Sequence, residues 1–206
     1  MGRTQIKVCG ITRIEDGKDA VVLGADAIGL MFYPPSPRAV TAEVAAEIAA
    51  VIPPFTKVVG VFVDASRAAI RNILDTVRLD LLQFHGNESR DECEQYQMPY
   101  IKALSMRPGV DALAAAKRFS SAQGLLLDSW HQKLRGGSGT SFDWSLIPEA
   151  IELPIILAGG LDATNVAQAV RQVRPFAVDV SGGVEVSKGI KDKGKMRAFM
   201  EKVNSV

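Results

Sequence analysis

Lys7-Val8-Cys9-Gly10-Ile11-Thr12 is a stretch typical of a strand that turns directly into a helix. A short buried strand ends at Val8, and Gly10 permits a tight turn behind the Cys9 thiol. Thr12 is placed to cap the following helix, with Glu15 three residues later completing a capping box. A thiol beside the positive end of a helix is expected to have a lowered pKa. Cys9 could equally be a packing residue, since free Cys is often buried.

Short apolar runs that fit buried parallel strands recur along the chain. They cover residues 6–8, 27–32, 57–63, 81–84, 100–104, 124–127, 155–158 and 177–180. Helical patterns separate them at residues 13–23, 41–51, 66–77, 87–97, 110–119 and 162–173, and another closes the chain at 191–203. This alternation predicts a parallel sheet, because parallel strands need crossover connections. An open doubly wound sheet and a closed barrel both fit, and the count of eight favours an α/β fold with one (β/α)8 TIM barrel domain over residues 1–206.

Composition narrows the classes of function. The chain has 206 residues, of which 47% are hydrophobic, and its net charge is +1, so neither nucleic acid nor an anionic membrane is expected as a partner. No apolar run approaches the length of a membrane span. Cys9 and Cys93 are expected to be free thiols in a cytoplasmic protein. The two His and two Cys residues lack metal-ligand spacing, so no metal site is predicted.

Active groups of either α/β fold belong at the carboxyl ends of the strands. Glycine pairs follow the last two strands, at Gly159-Gly160 and Gly182-Gly183. Adjacent glycines let backbone N–H groups approach an anion, and the corresponding loops of barrels often bind phosphate. Ordinary turns also use Gly-Gly, but two pairs on the last two strands favour a phosphate site.

Charged and titratable side chains stand at other strand ends. Asp128 follows Leu125-Leu126-Leu127, and apolar surroundings favour the protonated carboxyl that a general acid needs. Arg38 follows three prolines in a stiff loop suited to holding a planar carboxylate. His85 could titrate near neutrality. The alternatives are an N-cap or ion pair for Asp128, a solvated Arg38 and a hydrogen-bonded core His85.

The residues at these positions resemble the phosphoribosylanthranilate isomerase family of tryptophan biosynthesis over nearly the whole chain. The resemblance rests on the order of several short motifs. They are Lys7-Val8-Cys9-Gly10-Ile11-Thr12, Ser36-Pro37-Arg38, Leu82-Gln83-Phe84-His85-Gly86, Leu126-Leu127-Asp128, Gly136-Gly137-Ser138-Gly139, Ala158-Gly159-Gly160-Leu161 and Arg174-Pro175-Phe176-Ala177-Val178-Asp179. Two positions depart from the usual pattern, Gly182 in the last loop and Thr140 in the sixth.

The resemblance implies a cofactor-free Amadori rearrangement of N-(5′-phosphoribosyl)anthranilate to 1-(2-carboxyphenylamino)-1-deoxyribulose 5-phosphate. Asp128 would be the general acid and Cys9 the general base. Arg38 would pair with the anthranilate carboxylate, and His85 and Asp179 would position the substrate. The remaining implied residues bind the phosphate or close over the substrate. They are Gly159, Gly160, Ser181, Gly182 and Gly183 for the phosphate, and Gly137 for the closing loop.

Two other functions compete with this interpretation. The paralogous isomerase of the imidazole pathway uses two aspartates, so a cysteine at position 9 argues against it. A phosphosugar-binding barrel without activity would not need both Cys9 and Asp128. The expected partner is a small phosphorylated molecule, and the expected state is a monomer, with a homodimer as the alternative.

Overall fold

A computed structural model describes residues 2–129 and 142–206. Eight parallel strands form a closed barrel in chain order, in which β1 pairs with both β2 and β8. The strands are β1 (Gln5–Cys9), β2 (Ala27–Met31), β3 (Lys57–Phe62), β4 (Leu81–Phe84), β5 (Tyr100–Met106), β6 (Gly124–Ser129), β7 (Ile155–Leu157) and β8 (Ala177–Val180). The predicted (β/α)8 TIM barrel is therefore confirmed.

Helices connect most of the strands and cover the outside of the barrel. They are α1 (Ile14–Leu23), α2 (Ala42–Ala50), α3 (Arg67–Thr76), α4 (Arg90–Glu94), α5 (Ala112–Arg118), α6 (Val166–Val173) and α7 (Lys193–Asn204). A small antiparallel hairpin, β9 (Glu185–Ser187) and β10 (Ile190–Lys191), separates β8 from α7. Single 3₁₀ turns lie at Trp144–Leu146 and Gly182–Val184.

The helices are shorter than predicted, and two of them begin late because a side-chain hydrogen bond holds the preceding residues in a turn. The pattern over residues 87–97 becomes the short helix α4, which begins after a capping box between Ser89 and Glu92. The pattern over 162–173 becomes α6, since the Asp162 carboxylate accepts from the backbone N–H of Thr164 at 2.7 Å. Such local bonds compete with the helix and hold the chain in a turn.

The capping box predicted for Thr12 and Glu15 is wrong. The N-cap of α1 is Arg13, and it makes no side-chain cap hydrogen bond. Thr12 Oγ1 instead donates to the carbonyl of Gly189 at 2.5 Å, which ties the loop after β1 to the β9–β10 hairpin. Because α1 begins only at Ile14, its positive end is several residues away from Cys9.

Strand alternation decides which side chains enter the barrel. On β1, Ile6 and Val8 pack outward in the main core between sheet and helices, so Lys7 and Cys9 point inward. A second, small apolar cluster fills part of the interior. It consists of Ile101, Ala103, Leu126, Ile156, Ala158 and Ala177. The same alternation turns Asp128 of β6 and Asp179 of β8 toward the mouth formed by the strands' carboxyl ends.

A buried ion pair holds the turn that carries His85. Lys102 Nζ lies 3.0 Å from Glu88 Oε2 and also donates to the carbonyl of Gly86 at 2.8 Å. Glu88 accepts in addition from the backbone N–H groups of Gly86 and Asp64. Lys102 and Glu88 are 3% and 7% exposed, so neither charge has water as an alternative partner.

Replacing Glu88 by Ala should therefore lower the free energy of unfolding by about 3–5 kcal/mol, because it leaves the Lys102 ammonium buried and unpaired. Urea unfolding followed by circular dichroism measures this loss. Arg90→Ala is the matched control, since it removes only the exposed pair with Glu94 and should leave the unfolding midpoint close to that of wild type. Equal midpoints for Glu88→Ala and wild type would contradict the bracing role.

Candidate active site

A cavity of about 410 Å³ opens at the carboxyl ends of the barrel strands. Among its lining residues are Cys9, Arg38, His85, Asp128, Gly159, Gly160, Asp179, Ser181, Gly182 and Gly183. These are all the predicted site residues except Gly137, which lies outside the described residues, as does Thr140. The structure thus brings into one cavity groups that are spread over most of the chain.

Cys9 is the last residue of β1 and is 7% exposed. Its thiol lies beside the ammonium of Lys7, two residues earlier on the same inner face. Burial raises the pKa of the Cys9 thiol above its ordinary value, although Lys7 acts to lower it. The prediction that a helix end lowers the pKa of Cys9 is therefore wrong. The helix α1 begins too far away, and desolvation of the thiolate outweighs its attraction to Lys7.

Asp128 lies next to last in β6 and contacts His85, whose Nε2 is 3.2 Å from Asp128 Oδ2. The other ring nitrogen of His85 is 2.9 Å from Gln83 Nε2. His85 thus bridges Asp128 and Gln83, which holds the imidazole ring and the Asp128 carboxyl at fixed positions in the mouth of the barrel.

Arg38 makes a bidentate pair with Glu185 at the start of the β9–β10 hairpin. Its Nε and Nη2 donate to the two carboxylate oxygens at 2.8 and 2.7 Å. Lys191 Nζ donates to the same carboxylate at 2.8 Å. Burial alone would raise the pKa of Glu185, but the bonds from Arg38 and Lys191 hold it below its ordinary value. The Arg38 guanidinium, predicted to bind a planar carboxylate, thus already binds the carboxylate of Glu185 in the same chain.

The two glycine loops have no room for side chains toward their neighbours. Gly159 and Gly160 have φ angles of +84° and +65°, a region that favours glycine. A Cβ at Gly159 would lie 2.3 Å from the backbone nitrogen of Ser129, and one at Gly183 would lie 2.0 Å from the carbonyl oxygen of Leu161. Both loops line the cavity, where such close-packed backbone can direct N–H groups at an anion.

Four residues around the site were not found by sequence reasoning as site residues. They are Lys7, Gln83, Glu185 and Lys191. Lys7 and Gln83 stand two positions before a predicted site residue, and period-2 alternation could have found them. Glu185 and Lys191 reach the site only through the hairpin after β8, for which the sequence carried no local signal.

The fold and the cavity define a (β/α)8-barrel enzyme whose candidate site lies at the carboxyl ends of its strands. The sequence model of the family described as N-(5′-phosphoribosyl)anthranilate (PRA) isomerase matches residues 6–202. The chain belongs to this family.

Individual relatives agree with the family match. An N-(5′-phosphoribosyl)anthranilate isomerase of Pseudomonas fluorescens (strain SBW25) is 57% identical over 205 residues, which is 100% of this chain and 98% of that protein. The phosphoribosyl anthranilate isomerase structure from Thermotoga maritima superposes with a TM-score of 0.90 at 37% identity, covering 98% of this chain and 100% of that one. Another isomerase structure, in complex with reduced 1-(o-carboxyphenylamino)-1-deoxyribulose 5-phosphate, superposes with a TM-score of 0.87 at 36% identity over 98% of this chain and all of its own.

The described residues offer neither a metal-binding cluster nor a membrane-spanning helix. Within residues 2–129 and 142–206, no group of three or more His, Cys, Asp or Glu side chains is arranged to hold a metal ion. No helix in the same ranges has the length and apolar character needed to cross a membrane.

The lowered pKa of Glu185 predicts how stability depends on pH. Its ordinary value is 4.5, so the stabilisation from its ion pairs is fully present above that pH and is lost as pH falls through the lower native pKa. The difference in unfolding free energy between wild type and Glu185→Gln should therefore be largest near neutrality and shrink on acidification below about pH 4.5. Urea unfolding at a series of pH values measures it.

Glu201→Gln removes a carboxyl at an exposed position of α7 and controls for the change in net charge. A Glu185→Gln difference that grows on acidification would contradict the assignment of Glu185 as the shared partner of Arg38 and Lys191.

Proposed function

We propose that this cavity performs the isomerisation of N-(5′-phosphoribosyl)anthranilate, with Asp128 as general acid and Cys9 as general base. Membership of the family makes the chain an isomerase of tryptophan biosynthesis. The product is 1-(2-carboxyphenylamino)-1-deoxyribulose 5-phosphate, formed by an Amadori rearrangement. The observation that carries the residue assignment is one cavity lined by a thiol, a carboxyl, a guanidinium and two glycine loops.

The first step opens the ribose ring. Asp128, as the protonated acid, donates to the furanose ring oxygen as the bond from C1 to that oxygen breaks, and the anthranilate nitrogen becomes an iminium. His85 supports this step through its contact with Asp128 Oδ2 at 3.2 Å, which fixes the orientation of the carboxyl. Positioned acid catalysis of this kind contributes about two to four orders of magnitude in rate.

The second step removes the proton from C2. Cys9, as thiolate, takes this proton, and the electron pair of the C2–H bond forms a C1–C2 double bond that neutralises the iminium. The resulting enolamine tautomerises to the ketone. Cys9 and Asp128 stand on β1 and β6, which lie three strands apart around the barrel, so a sugar carbon chain placed between them can meet the acid and the base in turn.

Binding uses the two anionic groups of the substrate. Arg38 would hold the anthranilate carboxylate, which then shares or replaces Glu185 on the guanidinium. The loops at Gly159-Gly160 and Ser181-Gly182-Gly183 would hold the phosphate, and Asp179 would orient the sugar. Gly137 remains assigned to closure over the substrate through the family resemblance alone. The phosphorylated ligand in the complex of the 36% identical relative supports a phosphorylated partner for this chain.

The cellular setting follows from the same reasoning. We propose that the chain works in the cytoplasm, as biosynthetic isomerases of this family use a small phosphorylated metabolite. A monomer is proposed as the working unit, with a homodimer as the alternative.

The acid–base pair is tested by steady-state turnover, followed through the fluorescence of N-(5′-phosphoribosyl)anthranilate. Asp128→Asn keeps the shape of the side chain but removes the transferable proton, and Cys9→Ser replaces a thiol by a group far harder to ionise. Each should lower kcat by about two to four orders of magnitude. Cys93→Ser is the matched control, because burial raises the pKa of Cys93 to about 12 and the residue sits in α4 away from the cavity.

Wild-type turnover in Cys93→Ser together with large losses in the other two variants supports the assignment. An Asp128→Asn variant within tenfold of wild type would leave another group as the acid, and equal losses in both cysteine variants would remove Cys9 as the base.

The phosphate loops are tested by Gly183→Ala. The added Cβ meets the Leu161 carbonyl at 2.0 Å, so the backbone of the turn must move and its N–H groups lose their alignment with the anion. Loss of one charge-assisted hydrogen bond costs about 1.5–3 kcal/mol, so KM should rise by about tenfold or more while kcat changes less. Competitive inhibition by inorganic phosphate should weaken in parallel.

Gly17→Ala on α1 is the control, because its Cβ would make only ordinary contacts, at 3.4 Å or more, with Ile52, Ile48 and Ile11. A folded Gly183→Ala protein with unchanged KM and unchanged phosphate inhibition would place the phosphate elsewhere.

A further inference from the structure

Lys7 is a buried cation that the mechanism above does not use. It is 5% exposed and points into the barrel from β1. Its partner in the register of the closing strand pair is Asp179 of β8, and Lys7 Nζ lies 2.9 Å from Asp179 Oδ1. A lysine inside a barrel costs much desolvation free energy, and a plain apolar residue could fill the same volume. The position therefore calls for a function.

The ammonium of Lys7 and the thiol of Cys9 both lie against Gly29, a residue without a side chain. Gly29 of β2 lies opposite Cys9 in the strand register. A Cβ built on Gly29 would come within 2.7 Å of Cys9 Sγ and 3.2 Å of Lys7 Nζ, so both atoms occupy the space that a side chain would fill. The positive charge of Lys7 therefore acts directly on the Cys9 thiol and lowers its pKa, against the effect of burial. The missing side chain at position 29 thus permits the contact between cation and thiol.

Several other charged groups face the thiol from the surrounding elements. They are Asp179 on β8, Lys191 on β10 and Arg38 in the loop after β2. Glu185 on β9 pairs with both Arg38 and Lys191. Asp128 on β6 and His85 lie across the mouth, where they act on Asp179. Burial is the largest influence on the Cys9 pKa and raises it, and Lys7 is the largest influence that lowers it. Asp179 acts in the opposite direction to Lys7.

Lys7 itself stays protonated. Burial would lower its pKa, but the charges of Asp179 and Cys9 more than offset that cost and raise it above its ordinary value. Lys7 therefore cannot serve as a base near neutral pH, and it offers a permanent positive charge at short range. A permanent charge beside a buried thiol favours the thiolate over the thiol.

We propose that Lys7 is a positioning residue for catalysis: held beside Cys9 by Asp179, it stabilises the thiolate that removes the C2 proton. During that step a new S–H bond forms at Cys9, the C2–H bond breaks, and its electron pair neutralises the iminium nitrogen. Lys7 keeps its proton throughout. Asp179 fixes the direction of the ammonium and, by its own negative charge, limits how far the thiol is acidified. This inference rests on the proposed role of Cys9 as the base.

The test measures the thiol directly in the free protein. In a Cys93→Ser background Cys9 is the chain's remaining cysteine, and its rate of alkylation by iodoacetamide against pH reports its ionisation. Lys7→Met keeps the length of the side chain and removes the charge, so the midpoint should move up by about one pH unit or more, a tenfold loss of thiolate at a fixed pH below it. Asp179→Asn should move the midpoint down. The control is Lys193→Met, which removes the charge of an exposed lysine whose partner is Asp19, and it should leave the midpoint in place.

Opposite shifts from the two members of one ion pair are the decisive feature. A purely structural pair would give changes of the same sign, or none, in both variants, and that result would overturn the proposal. Where Lys7→Met does not fold, Asp179→Asn decides alone: a lower midpoint supports the proposal, and an unchanged or higher one overturns it. In turnover assays Lys7→Met should also move the acidic limb of the kcat profile to higher pH by the same amount as the alkylation midpoint.

The alkylation readout separates this proposal from the proposed function. If Cys9→Ser retains wild-type turnover, Cys9 is not the base and the catalytic role of Lys7 falls with it, whatever the midpoints show. If Cys9→Ser is inactive and the midpoints of Lys7→Met and Asp179→Asn do not move, the base is correct and the role of Lys7 is overturned.

Discussion

The pairing of β1 with β8 closes the barrel, and the Lys7–Asp179 ion pair lies across that closing seam. The register of this pair sets which residues of both strands face inward. A slip by one residue would exchange the inner and outer faces, sending Cys9 into the layer between sheet and helices. The ion pair therefore specifies the register of the β1–β8 pairing, because only one register lets both charges meet.

The mouth of the barrel is organised around pairs of unlike charge. Lys7 faces Asp179, and Glu185 faces both Arg38 and Lys191. The cations Lys7, Arg38 and Lys191 are thus already compensated by carboxylates of the chain. A substrate anion that binds Arg38 competes with Glu185, so its binding depends on how well it replaces contacts already present. Such a site discriminates by geometry, because a poorly fitting anion has no advantage over Glu185.

The barrel and most of the residues that line its cavity could be predicted from the sequence, because both depend on local periodicity. Each strand was recognisable as an apolar run, and the residue after each strand end had to lie at one face of the barrel. Long-range pairing could not be found in this way: Arg38 and Glu185 are 147 residues apart, and no local pattern signals their contact. The pKa of Cys9 was also wrong from sequence, since it depends on burial by several strands rather than on the next helix. The prediction of Thr12 as a helix cap was wrong for a similar reason, because its hydroxyl bonds instead to the carbonyl of Gly189 in the distant hairpin.

The contacts that complete the mouth join the two ends of the chain. Thr12 bonds to Gly189, Asp16 accepts from the backbone of Lys191, and Arg38 and Lys7 find their carboxylates on the segment after residue 176. A ribosome therefore synthesises Lys7 and Arg38 long before the carboxylates that pair with them. Until β8 and the hairpin have emerged, the nascent chain carries Cys9 and Asp128 but lacks Asp179, Glu185 and Lys191. The charge arrangement of the site is therefore completed only after the segment beyond residue 176 has been synthesised.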